Sequence, residues 1–232
     1  MKKNQAKIEY IRGMFGRISS EYDFMNRLMT LGMDISWRRF LISMAHMPEN
    51  ARVLDVGTGT GDIAFEALRL DPTIRMTGVD FTYEMMEVGR KRPDSEKIGW
   101  CRADAMELPF ADKTFDAVVS GFLVRNVSDV RATFREQMRV IKSGGSVVCL
   151  DTSPAPHNIL RPVYLFYLRI VIPLLGRLLT GNGDAYRYLT ASTINFLAPE
   201  VLADIMRDTG FEDVTFKRFM FGNIAVHWGV RP

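Results

Sequence analysis

The residues most able to do chemistry lie in one short run, Val53-Leu-Asp55-Val-Gly57-Thr-Gly59-Thr60-Gly61-Asp62. Its alternate glycines remove the Cβ atoms that would hold a ligand away from the backbone, and they permit positive φ. A glycine-rich turn between a first strand and a first helix is also how dinucleotides are held. In that form, G-x-G-x-x-G, the helix N-terminus is left free for a pyrophosphate. Here the position of the third glycine, five after Gly57, is Asp62. A carboxylate there competes with phosphates for the same N–H groups, which turns the reading toward a cationic nucleoside. S-adenosylmethionine fits that description, with an ammonium, a sulfonium and no phosphate. Asp62 also reads as a plain helix N-cap.

Two further acids follow in order. Asp80 stands 19 residues after Gly61, where a carboxylate can accept both hydroxyls of a ribose. Asp104-Ala105 follows the next apolar run, and its acid can accept from the exocyclic amine of an adenine. Each alone is an ordinary strand-end aspartate; in sequence they form a nucleoside-binding set. The cofactor-binding candidates are therefore Asp55, Gly57, Gly59, Thr60, Asp80, Phe81, Asp104, Ala105 and Gly121.

These residues must be positioned by the elements between them. Apolar runs at 53–56, 76–80, 98–102, 116–120 and 146–150 alternate with helix-like stretches at 62–70, 83–92 and 129–141. Continuous apolar strands separated by helices imply a doubly wound α/β fold with a mostly parallel sheet covered on both faces. The strand-like runs 213–220 and 223–230, after a helix over 199–209, add an antiparallel strand at the end of a seven-stranded sheet. Ligands in such sheets sit beyond the carboxyl ends of the strands, which is where the acids and glycines fall. The chain reads as one domain: a helical N-terminal cap (1–50), a cofactor-binding core (51–150), a helical substrate lid (151–198) and a C-terminal helix with a strand pair (199–232).

Composition sets outer limits. The chain has 232 residues, 47% of them apolar and 25% charged, with a net charge of +3, the profile of a globular domain. That charge, without a basic run, gives no case for nucleic acid. Two cysteines make no disulfide framework or metal spacing, and His46, His157 and His227 show none either, so no metal is expected. With no apolar leader at the N-terminus, the cytoplasm is the expected compartment. The apolar stretch Ile159–Leu179 is interrupted by Arg161, Pro162, Arg169, Pro173 and Arg177, so it is not expected to span a membrane. It reads either as a buried helix pair or as a greasy lid or membrane-surface contact.

Several segments resemble the ubiquinone/menaquinone biosynthesis C-methyltransferases of the UbiE type. They are Tyr22-Asp23-Phe-Met25-Asn26 with Trp37-Arg38, Val124-Arg125-Asn126-Val127, Arg139 to Gly145 with Asp151-Thr-Ser153, and Ala185-Tyr186 and Ile224 to Gly229. Departures from the family pattern are Asp34 for a usual His, Asp151 for a Glu, Gly121 for a small polar residue and Ser143 for a Pro. The resemblance implies an S-adenosylmethionine-dependent C-methylation of a reduced prenylated quinone. The short sequence ahead of Tyr22 points to the menaquinone branch, with demethylmenaquinol as acceptor. The catalytic candidates it implies are Arg125, Asn126 and Tyr22: Arg125 stabilising a phenolate or placing a water, Asn126 bonding a ring oxygen, and Tyr22 lining the site. Arg125 and Asn126 also read as ties between a loop and a helix, and Tyr22 as packing. Asp34 and Asp151 are candidate bases for which cap or surface roles are the plainer expectation. Peripheral membrane contact and a homo-oligomer are compatible with this reading. The alternatives are a methyltransferase acting on another small molecule or lipid, and a cofactor-binding module without turnover.

Overall fold

The computed structural model describes residues 2–154, 159 and 161–232, with side chains from residue 9 onward. Three helices open the chain: α1 (Lys2–Ile18), α2 (Tyr22–Thr30) and α3 (Met33–Met44). The alternating region follows as β1 (Arg52–Val56), α4 (Asp62–Leu70), β2 (Arg75–Asp80), α5 (Tyr83–Arg90), β3 (Ile98–Arg102), β4 (Phe115–Gly121), α6 (Val130–Val140) and β5 (Ile141–Thr152). Then come α7 (Arg161–Phe166), a wide π turn (Tyr167–Val171), α8 (Ile172–Thr180), α9 (Gly183–Ile194), α10 (Pro199–Asp208), β6 (Glu212–Phe219) and β7 (Ile224–Val230).

The sheet runs β3-β2-β1-β4-β5-β7-β6, parallel from β3 to β5, with β7 antiparallel to both its neighbours. This is the doubly wound, mostly parallel seven-stranded fold. The reversed strand is not at the edge, however; β7 lies between β5 and β6. Burial explains the placement. Ile224 to His227 of β7 are all buried, which requires neighbours on both sides, whereas β6 leaves most of its residues wet and can tolerate the edge.

Successive strand residues point to opposite faces, so two cores form. Val53 and Met76 meet Trp37 and Leu41 of α3 and Ile63 of α4 on one face. Leu54, Val56 and Val79 meet Phe134 of α6 and Met206 of α10 on the other. A third cluster joins Met14, Ile18 and Met25 to Leu168, Ile172, Tyr186 and Leu189, seating the N-terminal helices on α7–α9. His227 is a buried core residue, satisfied at one nitrogen only: its Nε2 lies 2.9 Å from Pro199 O, its Nδ1 has no hydrogen-bond partner, and burial pushes its pKa down to about 4. His157 lies outside the described residues.

The stretch Arg161–Thr180 corrects one expectation. Its charges and prolines do not interrupt it. It is a continuous helical run of 20 residues, mean hydropathy 1.6, long and apolar enough to cross a membrane by length and composition. Pro173 is accommodated because the π turn just before it widens the helix, relieving the clash a proline ring makes with the preceding turn. Nor is the run a buried helix pair, since 17% of its most apolar window is buried.

Candidate active site

Two cavities meet at the carboxyl ends of the strands. The first is a cleft of about 650 Å³ walled by the β1–α4 loop, the ends of β2 and β4, and residues of α1–α3. Gly57, Gly59 and Gly61 all have positive φ (74°, 57° and 85°). Packing crowds three of the glycines as well, Gly61 among them, where an added Cβ would come within 2.7 Å of Trp100. A Cβ on Gly57 would come within 2.8 Å of Leu123, and one on Gly121 within 2.6 Å of Ile63. The Gly57 and Thr58 N–H groups donate to Val79 O at 2.7 and 2.9 Å, fastening the loop to β2.

Asp80 completes that fastening. Its Oδ2 accepts from Gly59 N–H at 2.9 Å and its Oδ1 from Thr82 N–H at 2.7 Å. Burial raises its carboxyl above the ordinary range, against the pull of those two N–H groups. Each oxygen keeps a second lone pair, so Asp80 can hold the loop and still accept from a vicinal diol. Gly57, Gly59, Thr60, Phe81 and Gly121 line the cleft with it. Asp104 and Ala105 line a smaller cavity of about 400 Å³ that shares Phe81, Leu123 and Asn126 with the cleft; Asp104 Oδ1 accepts from Met106 N–H at 2.9 Å.

Asp55 does not line the cleft. It lies fully buried under the loop, where its Oδ2 accepts from the Thr58 hydroxyl at 2.8 Å. Burial pushes its pKa up to about 7. Its effect on a ligand therefore passes through the loop it supports.

Three further wall residues are charged. Asp23, Arg38 and Asp62 line the cleft as part of one charge network. Asp62 faces Arg27 (3.1 Å), Arg38 (3.3 Å) and Arg92 (2.8 Å). Burial works to raise the Asp62 carboxyl, but Arg38, Arg92 and Arg27 outweigh it and hold it low. Arg27 and Arg38 both also pair with Asp34, and Asp23 accepts from the Thr60 hydroxyl at 2.7 Å. The network clamps α2 and α3 onto the glycine loop. Asp34 is fully buried within it, which corrects the expectation of a cap or surface role.

The second cavity, about 730 Å³, lies between α2, α3, the α7–α9 run and the end of β7. Its lining is mostly apolar (Met29, Trp37, Phe122, Leu168, Ile172, Leu189, Ile224), with Tyr22, Asn26, Arg125 and several threonines among them. Arg125 Nη1 donates to Asp151 Oδ1 at 2.6 Å, with side chains 6% and 1% exposed. Its backbone N–H reaches Asp151 Oδ2 at 3.1 Å. Asp151 is thus the buried counter-ion of Arg125, not a surface or cap residue. Two buried donors in this lining, Arg125 Nε and Asn26 Nδ2, have no partner in hydrogen-bond geometry, although the Asn26 amide lies beside the Tyr22 phenol and works against the rise of its pKa.

The three catalytic candidates do not all face one cavity. Tyr22 lines both; burial raises its phenol, and the charge of Arg125 opposes that rise. Arg125 faces the second cavity, whereas Asn126 faces the cleft and the small cavity. Asn126 Nδ2 donates to Phe122 O at 3.0 Å, and its buried Oδ1 has no partner. Among the described residues, no cluster of His, Cys, Asp or Glu has metal-binding geometry.

Comparison with known proteins bears on this geometry. The model of the ubiE/COQ5 methyltransferase family matches residues 2–231. The chain is 48% identical over 221 residues to the ubiquinone/menaquinone biosynthesis C-methyltransferase UbiE of Desulfotalea psychrophila, covering 95% of this chain and 90% of that one. It is 42% identical to the demethylmenaquinone methyltransferase of a Roseiflexus species, covering 97% and 94%. Among solved structures, an S-adenosylmethionine-dependent methyltransferase from Thermotoga maritima shares the fold at 21% identity, with TM-score 0.67 and coverage of 96% and 100%.

Proposed function

The chain belongs to the ubiE/COQ5 methyltransferase family and is an S-adenosylmethionine-dependent methyltransferase, and from that premise we propose that it C-methylates a reduced prenylated quinone, converting demethylmenaquinol to menaquinol. The observation that carries this reading is the junction at Tyr22 and Phe122, where a glycine-walled acidic cleft meets an apolar pocket with unpartnered donors. The cleft fits the cofactor. Its glycines leave the backbone open, Asp80 offers acceptors for the ribose hydroxyls, and Asp104 and Ala105 border a cavity where adenine would lie. Asp23 and Asp62 place negative charge where a cationic amino-acid tail would run, with Arg38 beside them for its carboxylate. When bound, the cofactor supplies an electrophilic methyl group.

The chain's own residues prepare the acceptor. A hydroquinone carbon becomes nucleophilic when the neighbouring hydroxyl gives its proton to solvent, and once methylated that carbon must lose its own C–H proton to restore the aromatic ring, so negative charge on the oxygen must be stabilised. Arg125 is permanently charged and cannot serve as a neutral base. Held by Asp151, it keeps its Nε N–H free to donate to the phenolate. Asn26 offers a second donor to a ring oxygen. Tyr22 and Phe122, shared by both cavities, orient the ring at their junction, and orientation supplies much of the rate. Asn126 belongs with the cofactor side.

The test is transfer of labelled methyl from S-adenosylmethionine to reduced demethylmenaquinone, to other demethylated quinols, and to lipid and small phenolic acceptors. The reading expects label on a quinol ring carbon. Label only on a lipid or another small molecule would replace the acceptor while leaving the cofactor assignment intact.

A further inference from the structure

The helical run α7–α8 packs one side on the body through Leu168, Ile172 and Gly176. Its other side carries Val163, Phe166, Ile170, Leu174 and Leu178, exposed by 67, 61, 53, 52 and 71%. Steps of three and four residues put these five on one stripe. Scattered exposed apolar residues are normal, but a contiguous stripe marks an interaction surface. The run also borders the second cavity from above, because Tyr164, Tyr167, Leu168 and Ile172 line that cavity. Tyr167 donates to Met29 O at 2.8 Å, tying the run to the end of α2, where Leu31 is 84% exposed.

The charge carried by the run has one sign. Arg169 and Arg177 are exposed, and no carboxylate occurs between Asp151 and Asp184. We propose that this face docks on an anionic lipid leaflet, the stripe resting at the acyl boundary and Arg169 and Arg177 at the headgroup phosphates. The second cavity then opens beside the bilayer and takes its acceptor from it. The proposal rests on the reading of that cavity as the site of a prenylated quinol.

Charge and packing select this occupant. A second copy of the chain docked face to face would bring arginines toward arginines, with no carboxylate on the run itself to answer them and Asp184, just beyond it, already paired with Arg17. A spanning helix would have to leave the body. Gly176 is seated so tightly that a Cβ there would lie 2.1 Å from Tyr186, and pulling the run away would expose the whole cluster around Met25 and Leu189. An amphipathic helix with apolar residues outward and arginines beside them suits a lipid surface.

The experiment is co-sedimentation of the full chain with phosphatidylcholine vesicles, with and without phosphatidylglycerol, and without acceptor present. Binding should need the anionic lipid and fall with salt. Each arginine near the surface is worth about fivefold, so Arg169→Glu with Arg177→Glu should weaken binding by at least ~25-fold. Phe166→Ser with Leu174→Ser should abolish it. None of these four side chains lines the second cavity, so turnover on a short-tailed, water-soluble quinol should stay at the parental level in both variants, which also shows that they fold. Parental protein that ignores anionic vesicles, or variants that bind like the parent, would overturn the docking face. Self-association abolished by Phe166→Ser with Leu174→Ser, without vesicle binding, would make it an interface between copies. Failure to methylate the short-tailed quinol while vesicle binding persists would instead sink the quinol reading and leave the lipid surface standing.

Discussion

The two cavities that meet at Tyr22 and Phe122 are built by opposite means. The cleft is made largely of backbone and short side chains at strand ends: Gly57, Gly59, Asp80 and Gly121, held by main-chain bonds to β2. The second cavity is made of long side chains from elements far apart in the chain, with Arg125 Nε and Asn26 Nδ2 as its donors outside any hydrogen-bond geometry. A wall of backbone N–H groups and carboxylates has little freedom to change without breaking the sheet. A wall of apolar side chains on helices can be re-cut residue by residue. The first construction suits a ligand that never varies; the second suits an acceptor that does.

The sharpest break of that comparison is at Arg125. Arg125→Ala should lower kcat by roughly 10³-fold, the scale of losing an aimed oxyanion donor, while S-adenosylhomocysteine binds as before. It should also destabilise the fold by about 3–5 kcal/mol, because Asp151 is left buried and alone. Arg125→Met with Asp151→Leu separates the two effects: thermal melts should recover and turnover should not. Restored turnover in the double variant would take Arg125 out of the chemistry. On the other side of the junction, Asp80→Ala removes the acceptors offered to two ribose hydroxyls, along with its bonds to Gly59 of the glycine loop and to Thr82. At about 1.5 kcal/mol each, cofactor affinity should fall roughly 100-fold, read by calorimetry. An unchanged dissociation constant would remove Asp80 from the cofactor site.

The same contrast explains what could be read from the sequence. Gly57 to Asp62 and Asp80 were legible because the alternation of strands and helices is a local pattern and the strand-end rule needs no tertiary knowledge. Their charged partners were not: Arg27 meets Asp62 across 35 residues of chain with no motif of its own, and Arg38 was marked only by the resemblance at Trp37-Arg38. Arg125 and Asn126 were legible as a pair only through family resemblance. That they face different cavities depends on the turn preceding them, where Phe122 takes a φ of 58°. Nothing in a phenylalanine announces a left-handed backbone. The interruption expected in Arg161–Thr180 failed for a related reason: a π turn ahead of Pro173 depends on backbone geometry rather than composition.

Asp55 tests the cleft through stability. Its folded pKa, about 7, lies above the unfolded value near 3.9. Between those values the unfolded chain ionises while the folded one keeps the proton. This group's contribution is therefore full below the unfolded pKa and declines as pH rises to about 7, by ~1.4 kcal/mol per pH unit. Asp55→Asn can still accept from Thr58 and does not titrate, so the melting-temperature difference between variant and parent should grow in the variant's favour from pH 4 to 7. A difference independent of pH would mean that Asp55 is ionised in the fold.

The smallest effect is the most discriminating for the second cavity. Asn26 Nδ2 is buried without a partner, and leaving a donor so costs about 1–3 kcal/mol. If that donor is kept for the acceptor's oxygen, Asn26→Leu should raise the acceptor KM about 5-fold, near 1 kcal/mol, leave cofactor affinity alone, and hold or raise the melting temperature. Lower stability with an unchanged KM would mean that the amide serves the fold, and Arg125 Nε would then be the unpartnered donor left to the acceptor among the described lining residues.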